Sequence, residues 1–152
     1  MTQTDTDALA RPLSILGFLA AVAGIVVLFL KQRLFCHHPA GIAVQAAGVL
    51  LMVWARVTFG RRSFYAAANP TAGGLVTWGP YRWWRHPIYA AILYFTWAAL
   101  VCHPDPLAAG GTALVTAGLA LRIAMEERLL RRAYPEYEVY AARTRRVIPY
   151  LV

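Results

Sequence analysis

The chain has 152 residues, 59% of them hydrophobic, with a mean hydropathy of +0.49 and a formal net charge of +8. One domain's length at this apolarity excludes an ordinary soluble fold. The charge pattern also argues against a nucleic-acid binder. No Asp or Glu occurs from Ala8 to Pro104, fourteen of the fifteen basic residues are Arg, and they flank apolar runs instead of forming a basic face.

Residues 1–11 are polar and predict a loose tail. Pro12 to Leu30 is an uncharged apolar run long enough to cross a bilayer. A cleaved signal peptide ending near Ala21-Val22-Ala23 is the rival reading, and the acidic residues Asp5 and Asp7 ahead of the run disfavour it. After a turn from Lys31 to Pro39, Ala40 to Phe59 forms a second span, interrupted by Gln45 and Arg56. A long connection with Arg61, Arg62, Arg82 and Arg85 leads to a third span, Pro87 to Cys102. Past the turn at His103-Pro104-Asp105-Pro106 comes a fourth, residues 107–125, followed by a C-terminal segment over 126–152. In that segment Pro135 is expected to start a helix carrying Tyr134, Tyr137 and Tyr140 on one stripe, lying in the membrane interface or closing over a ligand.

The predicted fold is therefore all-α: a single integral membrane domain of four transmembrane helices plus a C-terminal interfacial amphipathic helix. The arginine bias places both termini on the cytoplasmic side, with Lys31 and Arg33 dissenting. Gly17 and Gly24, Gly41 and Gly48, and Gly111 and Gly118 are each seven apart, so each pair shares a helix face. Packing within the bundle is the expected use of these faces, and a homodimer is the alternative. Cys36 and Cys102 fall on the non-cytoplasmic side, where a disulfide is favoured over a metal site.

The chemistry gathers at the other end. The stretch LVTWGPYRWWRHPIY, residues 75–89, sets Arg85 and His86 at the mouth of the third span, with Pro87 as its first residue. Tyr89 shares a face with His86, and Arg122 stands one turn before Glu126 and Glu127. Bland readings exist for each: a snorkelling arginine for Arg56, a capping histidine for His86, a solvated helix end for the glutamates. Cations at one helix mouth and acids beside another together suit a zwitterionic ligand with an amino-acid end.

LVTWGPYRWWRHPIYAA resembles the signature of the isoprenylcysteine carboxyl methyltransferase family, related to the membrane phospholipid N-methyltransferases. Arg122-x-x-x-Glu126-Glu127, Leu130 and the run from Tyr134 to Tyr140 resemble its paired-glutamate motif and aromatic tail. The likeness covers roughly Asn69 to Pro149. It implies S-adenosylmethionine as cofactor, held by His86, Tyr89, Glu126 and Glu127, with Leu75, Val76, Gly79 and Tyr81 lining its pocket. It further implies that Arg85 and Arg122, with Tyr89, serve the methyl acceptor. Eukaryotic members carry Phe-Gly where Tyr134-Pro135 stands, and extra helices, so the resemblance points away from a prenylated protein toward a lipophilic small molecule or lipid.

An anionic acceptor suits the arginine surplus, which favours carboxylate O-methylation, and such an acceptor needs no general base. An amine would need one, such as Glu127 or Tyr89. Phospholipid N-methylation, thiol S-methylation and a non-catalytic module that binds a lipid or partner are the alternatives. The arginine-for-lysine bias is expected of a bacterial inner-membrane protein.

Overall fold

The computed structural model describes residues 3–60 and 74–148, with side chains from Leu9 onward. Arg61, Arg62, Asn69 and the last four residues lie outside the described residues. The elements are α1 (Gln3–Leu30), α2 (Pro39–Phe59), a 3-10 turn (Gly79–Arg82), α3 (Pro87–Cys102), α4 (Pro106–Ala133) and α5 (Tyr137–Arg143). Among the described residues the regular structure is helical apart from one isolated bridge between Trp84 and Arg145.

Proline and short polar residues start the helices where the sequence predicts. Pro39, Pro87 and Pro106 each occupy the first turn, where a missing N–H costs nothing. His38 Nδ1 accepts from the Ala40 N–H, and the Asp105 carboxylate accepts from the Ala108 N–H at 2.9 Å. The loose tail expected over residues 1–11 is corrected: α1 is helical from Gln3 and runs through Pro12. Ala10 is fully buried, so packing holds this turn despite the backbone bond that Pro12 deletes.

Among the described residues, three helices are long and apolar enough to cross a membrane: α1 over Leu9–Leu30, α2, and α4. Their outward surfaces are apolar, with Leu50 70% and Val57 75% exposed on α2 and Leu30 69% exposed on α1. So much contiguous bare hydrocarbon needs lipid or another apolar cover. α3 differs. At 16 residues it is about 24 Å long, short of the roughly 30 Å hydrocarbon core, and it is the most enclosed helix. Ala90, Ala91, Leu93, Ala98 and Ala99 are all buried on it.

The helices pack in the spatial order α1, α4, α3, α2, and the α1–α4 boundary is the most extensive. Glycine makes that boundary close. A Cβ on Gly17 would lie 2.5 Å from the Gly118 carbonyl oxygen, and one on Gly24 2.8 Å from that of Gly111. Gly48 lets α2 approach the Ala91 carbonyl of α3, and Gly41 packs on the disulfide. All three glycine faces are thus used within the chain, as expected. The core joins Ala21 of α1, Ala90 and Leu93 of α3, and Val115, Leu119 and Ile123 of α4, with Val147 closing it.

At one end of the bundle Cys36 and Cys102 are joined in a disulfide, tying the α1–α2 turn to the end of α3. Gln45, the polar residue inside the second span, accepts from the Cys36 N–H and donates to the carbonyls of Leu34 and Phe95. Its amide is therefore satisfied and serves to fold the turn. Arg33 donates to Asp105 across the same end at 2.6 Å.

Candidate active site

The opposite end carries the charge cluster. α4 runs 28 residues, well past its apolar stretch, and presents Arg122, Glu126 and Glu127 where α3 begins. The 3-10 turn places Tyr81 there, its ring stacked on Phe59 with centroids 5.4 Å apart. His86 is the N-cap residue of α3, yet its side chain makes no capping bond. The bland reading of His86 as a helix cap therefore fails, and the imidazole turns to the acids.

Glu126 and Glu127 have separate partners, because one helical step of about 100° divides them. Glu126 accepts from the Tyr89 hydroxyl at 2.6 Å and pairs with Arg122 Nε at 3.0 Å. Arg122 Nε also donates to the Tyr89 oxygen at 2.5 Å, and Arg122 Nη1 reaches the Ser14 carbonyl of α1. The Glu126 side chain keeps 16% of its surface open.

Glu127 is 1% exposed. Arg85 Nε donates to it at 2.9 Å, Arg146 Nη2 at 3.0 Å, and Arg131 lies 3.6 Å away. A carboxylate held this way is paired and hydrogen-bonded, the condition on which a buried charge is tolerated.

His86 lies between the two. Nδ1 is 3.7 Å from Glu126 Oε2 and Nε2 is 3.5 Å from Glu127 Oε1, so neither makes a short bond to a carboxylate. Its ring stacks on Tyr89 with centroids 5.6 Å apart. Nε2 is buried with no hydrogen-bond partner among the described residues. A buried polar atom in that state is uncommon and calls for a ligand or a role.

The C-terminal segment completes the cluster, and in a way the sequence did not predict. α5 starts at Tyr137, later than the Pro135 start expected, because Pro135 and Glu136 form the turn that leads into it. The helix has only seven residues and docks through the fully buried Tyr137. The chain then runs beside the α3 mouth. Arg145 N–H donates to the Trp83 carbonyl, and the Arg85 and His86 N–H groups donate to the carbonyls of Arg145 and Arg146. Arg85 Nη1 clasps the carbonyls of Ala141 and Thr144 at 2.6 and 2.8 Å. Arg85 is therefore engaged by Glu127 and the C-terminal segment together.

Tyr140 donates to the Tyr81 carbonyl at 2.7 Å. Burial pushes the hydroxyls of Tyr81, Tyr137 and Tyr140 well above the ordinary phenol range, so they stay un-ionised.

The predicted residues Tyr81, Arg85, His86, Tyr89, Arg122, Glu126 and Glu127 thus converge at one end of the bundle. Gly79 packs on Thr58 of α2 with positive φ, and Leu75 and Val76 are half-buried in the lead-in to the turn. Missed from the sequence were Ser14, Thr144 and Arg146. No local signal in the sequence marks Arg146, because it meets Glu127 only through tertiary structure.

A sequence model of the isoprenylcysteine carboxyl methyltransferase (ICMT) family matches residues 40–132, more than half of the chain. The chain belongs to this family. ICMT-family proteins are membrane methyltransferases, and this chain has the long apolar helices of an integral membrane protein. No curated protein and no solved structure matches the chain. The ICMT match starts with α2, earlier than the motifs near Asn69, and stops at Arg132, before the aromatic tail. Every converging residue from Tyr81 to Glu127 lies inside it; Arg146 and α5 lie outside.

Proposed function

We propose that the chain transfers a methyl group from S-adenosylmethionine to a lipophilic acceptor at the membrane surface, with an anionic carboxylate as the favoured acceptor. The observation that carries this reading is Glu126, partly open, beside the buried imidazole of His86, both within the ICMT match. These are an acceptor for an ammonium and a polar atom for a carboxylate, the two ends of an amino-acid moiety. Tyr89 and Glu127 hold these groups in place, while Tyr81, buried and stacked on Phe59, would form part of the pocket wall. Gly79, Leu75 and Val76 would line the same side.

The cofactor, when bound, supplies an electrophilic methyl on a sulfonium. Everything else asked of the protein is positioning and exclusion of water. Arg122, locked to Tyr89 and Glu126, can face an anionic acceptor. Arg85 acts as a positioning residue, fastening the C-terminal segment over the site. A carboxylate acceptor arrives ionised, so no side chain need take a proton from it.

In this reading α3 is the short fourth span and the site faces the cytoplasm of a bacterial inner membrane. Support comes from the arginines at this end and the disulfide at the other, where an oxidising compartment would keep it.

Two measurements test the proposal. Calorimetric titration of the detergent-purified chain should show S-adenosylmethionine binding that Glu126→Gln and His86→Ala weaken at least tenfold. Labelled-methyl transfer should be compared across prenylcysteine analogues and other lipophilic carboxylates, phospholipids and thiols. Absence of cofactor binding in the folded wild type would sink the enzyme reading. Transfer to amines alone would move the acceptor to phospholipid headgroups.

A further inference from the structure

A cleft of about 390 Å³ opens on the exposed side of α4, away from Glu126. Its apolar part is Ala124 and Met125; its polar part is Arg128, Arg131, Arg132 and Arg146 around Glu127. Of these four guanidiniums Arg131 and Arg146 pair with Glu127, which Arg85 also holds from behind, and Arg131 pairs with Glu138 as well, so arginines outnumber carboxylates five to two. The cleft therefore has a surplus of positive charge. Guanidinium is also the side-chain cation best matched to a phosphate, which it can bind through two parallel N–H donors.

Depth decides what kind of phosphate. Counting roughly twenty residues from Leu107 to cross the hydrocarbon puts its boundary at Met125 and Glu126. Arg128, Arg131 and Arg132 then stand roughly 3 to 9 Å beyond it, from inside a headgroup layer of roughly 5 to 8 Å per leaflet to its outer edge. Ala124 and Met125 sit where the first acyl carbons would lie. An apolar floor at the hydrocarbon edge beneath a basic rim at phosphate depth matches a phospholipid better than a soluble anion.

We propose that this cleft is a binding site for the headgroup of an anionic phospholipid, distinct from the methyl-transfer site and sharing only Glu127 and Arg146 with it. The proposal does not depend on which molecule is methylated. It predicts that lipid binding buttresses the same carboxylate that Arg85 and Arg146 hold.

The test is a native mass-spectrometry titration of the full chain, released from detergent, with phosphatidylglycerol or phosphatidylcholine at equal concentration. Wild type should bind phosphatidylglycerol about tenfold or more tightly than phosphatidylcholine, since each arginine at the surface contributes appreciably to anionic-lipid binding. R128Q/R132Q should lose about tenfold of that affinity, whereas R82Q/R143Q, which removes equal charge outside the cleft, should retain it. Three results overturn the proposal: equal binding of the two lipids, an equal loss in both double variants, or displacement of phosphatidylglycerol by millimolar inorganic phosphate. The last would make the cleft a soluble-anion site.

Discussion

Glu126 and Glu127 are neighbours in sequence and chemically identical, yet the fold gives them different tasks. Glu127 is sealed among Arg85, Arg131 and Arg146, while Glu126 keeps an open edge beside Tyr89 and Arg122. Glu127→Gln leaves the largely buried Arg85 guanidinium, and the more exposed Arg131 and Arg146, without their counter-charge, a change expected to cost about 3–5 kcal/mol. Its thermal midpoint in detergent should fall by roughly 10 °C or more. Whereas Glu127 serves three arginines, Glu126→Gln strips the counter-charge from one buried guanidinium, Arg122, so its midpoint should fall by less while cofactor affinity drops. Equal destabilisation by the two substitutions would contradict this division of labour. The sequence shows both acids and their nearness to Arg122. It does not show which is buried, because that depends on Arg146, a residue placed by tertiary structure.

At the level of elements, the same contrast between local and tertiary signals recurs. Helix starts were legible because Pro39, Pro87 and Pro106 act within one turn, and the glycine pairs were legible because two helical turns repeat a face. The C-terminal clasp was not. Its contacts are single backbone bonds from Trp83, Arg85 and His86 to Arg145 and Arg146, with no periodicity to read. The expected amphipathic helix gives way to one of seven residues whose Tyr137 is wholly interior. Two predictions follow from particular elements. Gly118→Val would drive a branched side chain into the backbone of α1 at Gly17 and Ala21, and overpacking of this kind costs about 1–3 kcal/mol or more. A lowered unfolding midpoint with retained helical circular dichroism would register it.

The second concerns the Asp105 cap. The Ala108 N–H and then Arg33 hold its carboxyl below the ordinary value near 3.9. A depressed folded pKa stabilises above the unfolded value and is lost as pH falls through the folded one. Wild type should therefore lose stability below about pH 4, and Asp105→Asn should lack that portion of the acid dependence in pH-resolved melts.

Across the whole molecule, the two ends of the bundle are fastened by different means. One end has a covalent bridge closing a separation of 66 residues, the other a knot of carboxylates, guanidiniums and backbone bonds. The chain-entropy estimate for a loop of that size is on the order of 4 kcal/mol. Reduction should therefore lower the unfolding midpoint while leaving cofactor affinity nearly unchanged, because the site lies at the far end. A parallel fall in affinity would show that the two ends are coupled. The spatial order α1, α4, α3, α2 has one more consequence, for biosynthesis. α1 is made first, but its main partner α4 begins about 75 residues after α1 ends, which is roughly 4 to 15 s of translation. During that interval the newborn α1 stands in the bilayer with its Gly17 and Gly24 notches filled by acyl chains. Docking of α4 onto α1 therefore requires the eviction of lipid from a glycine groove.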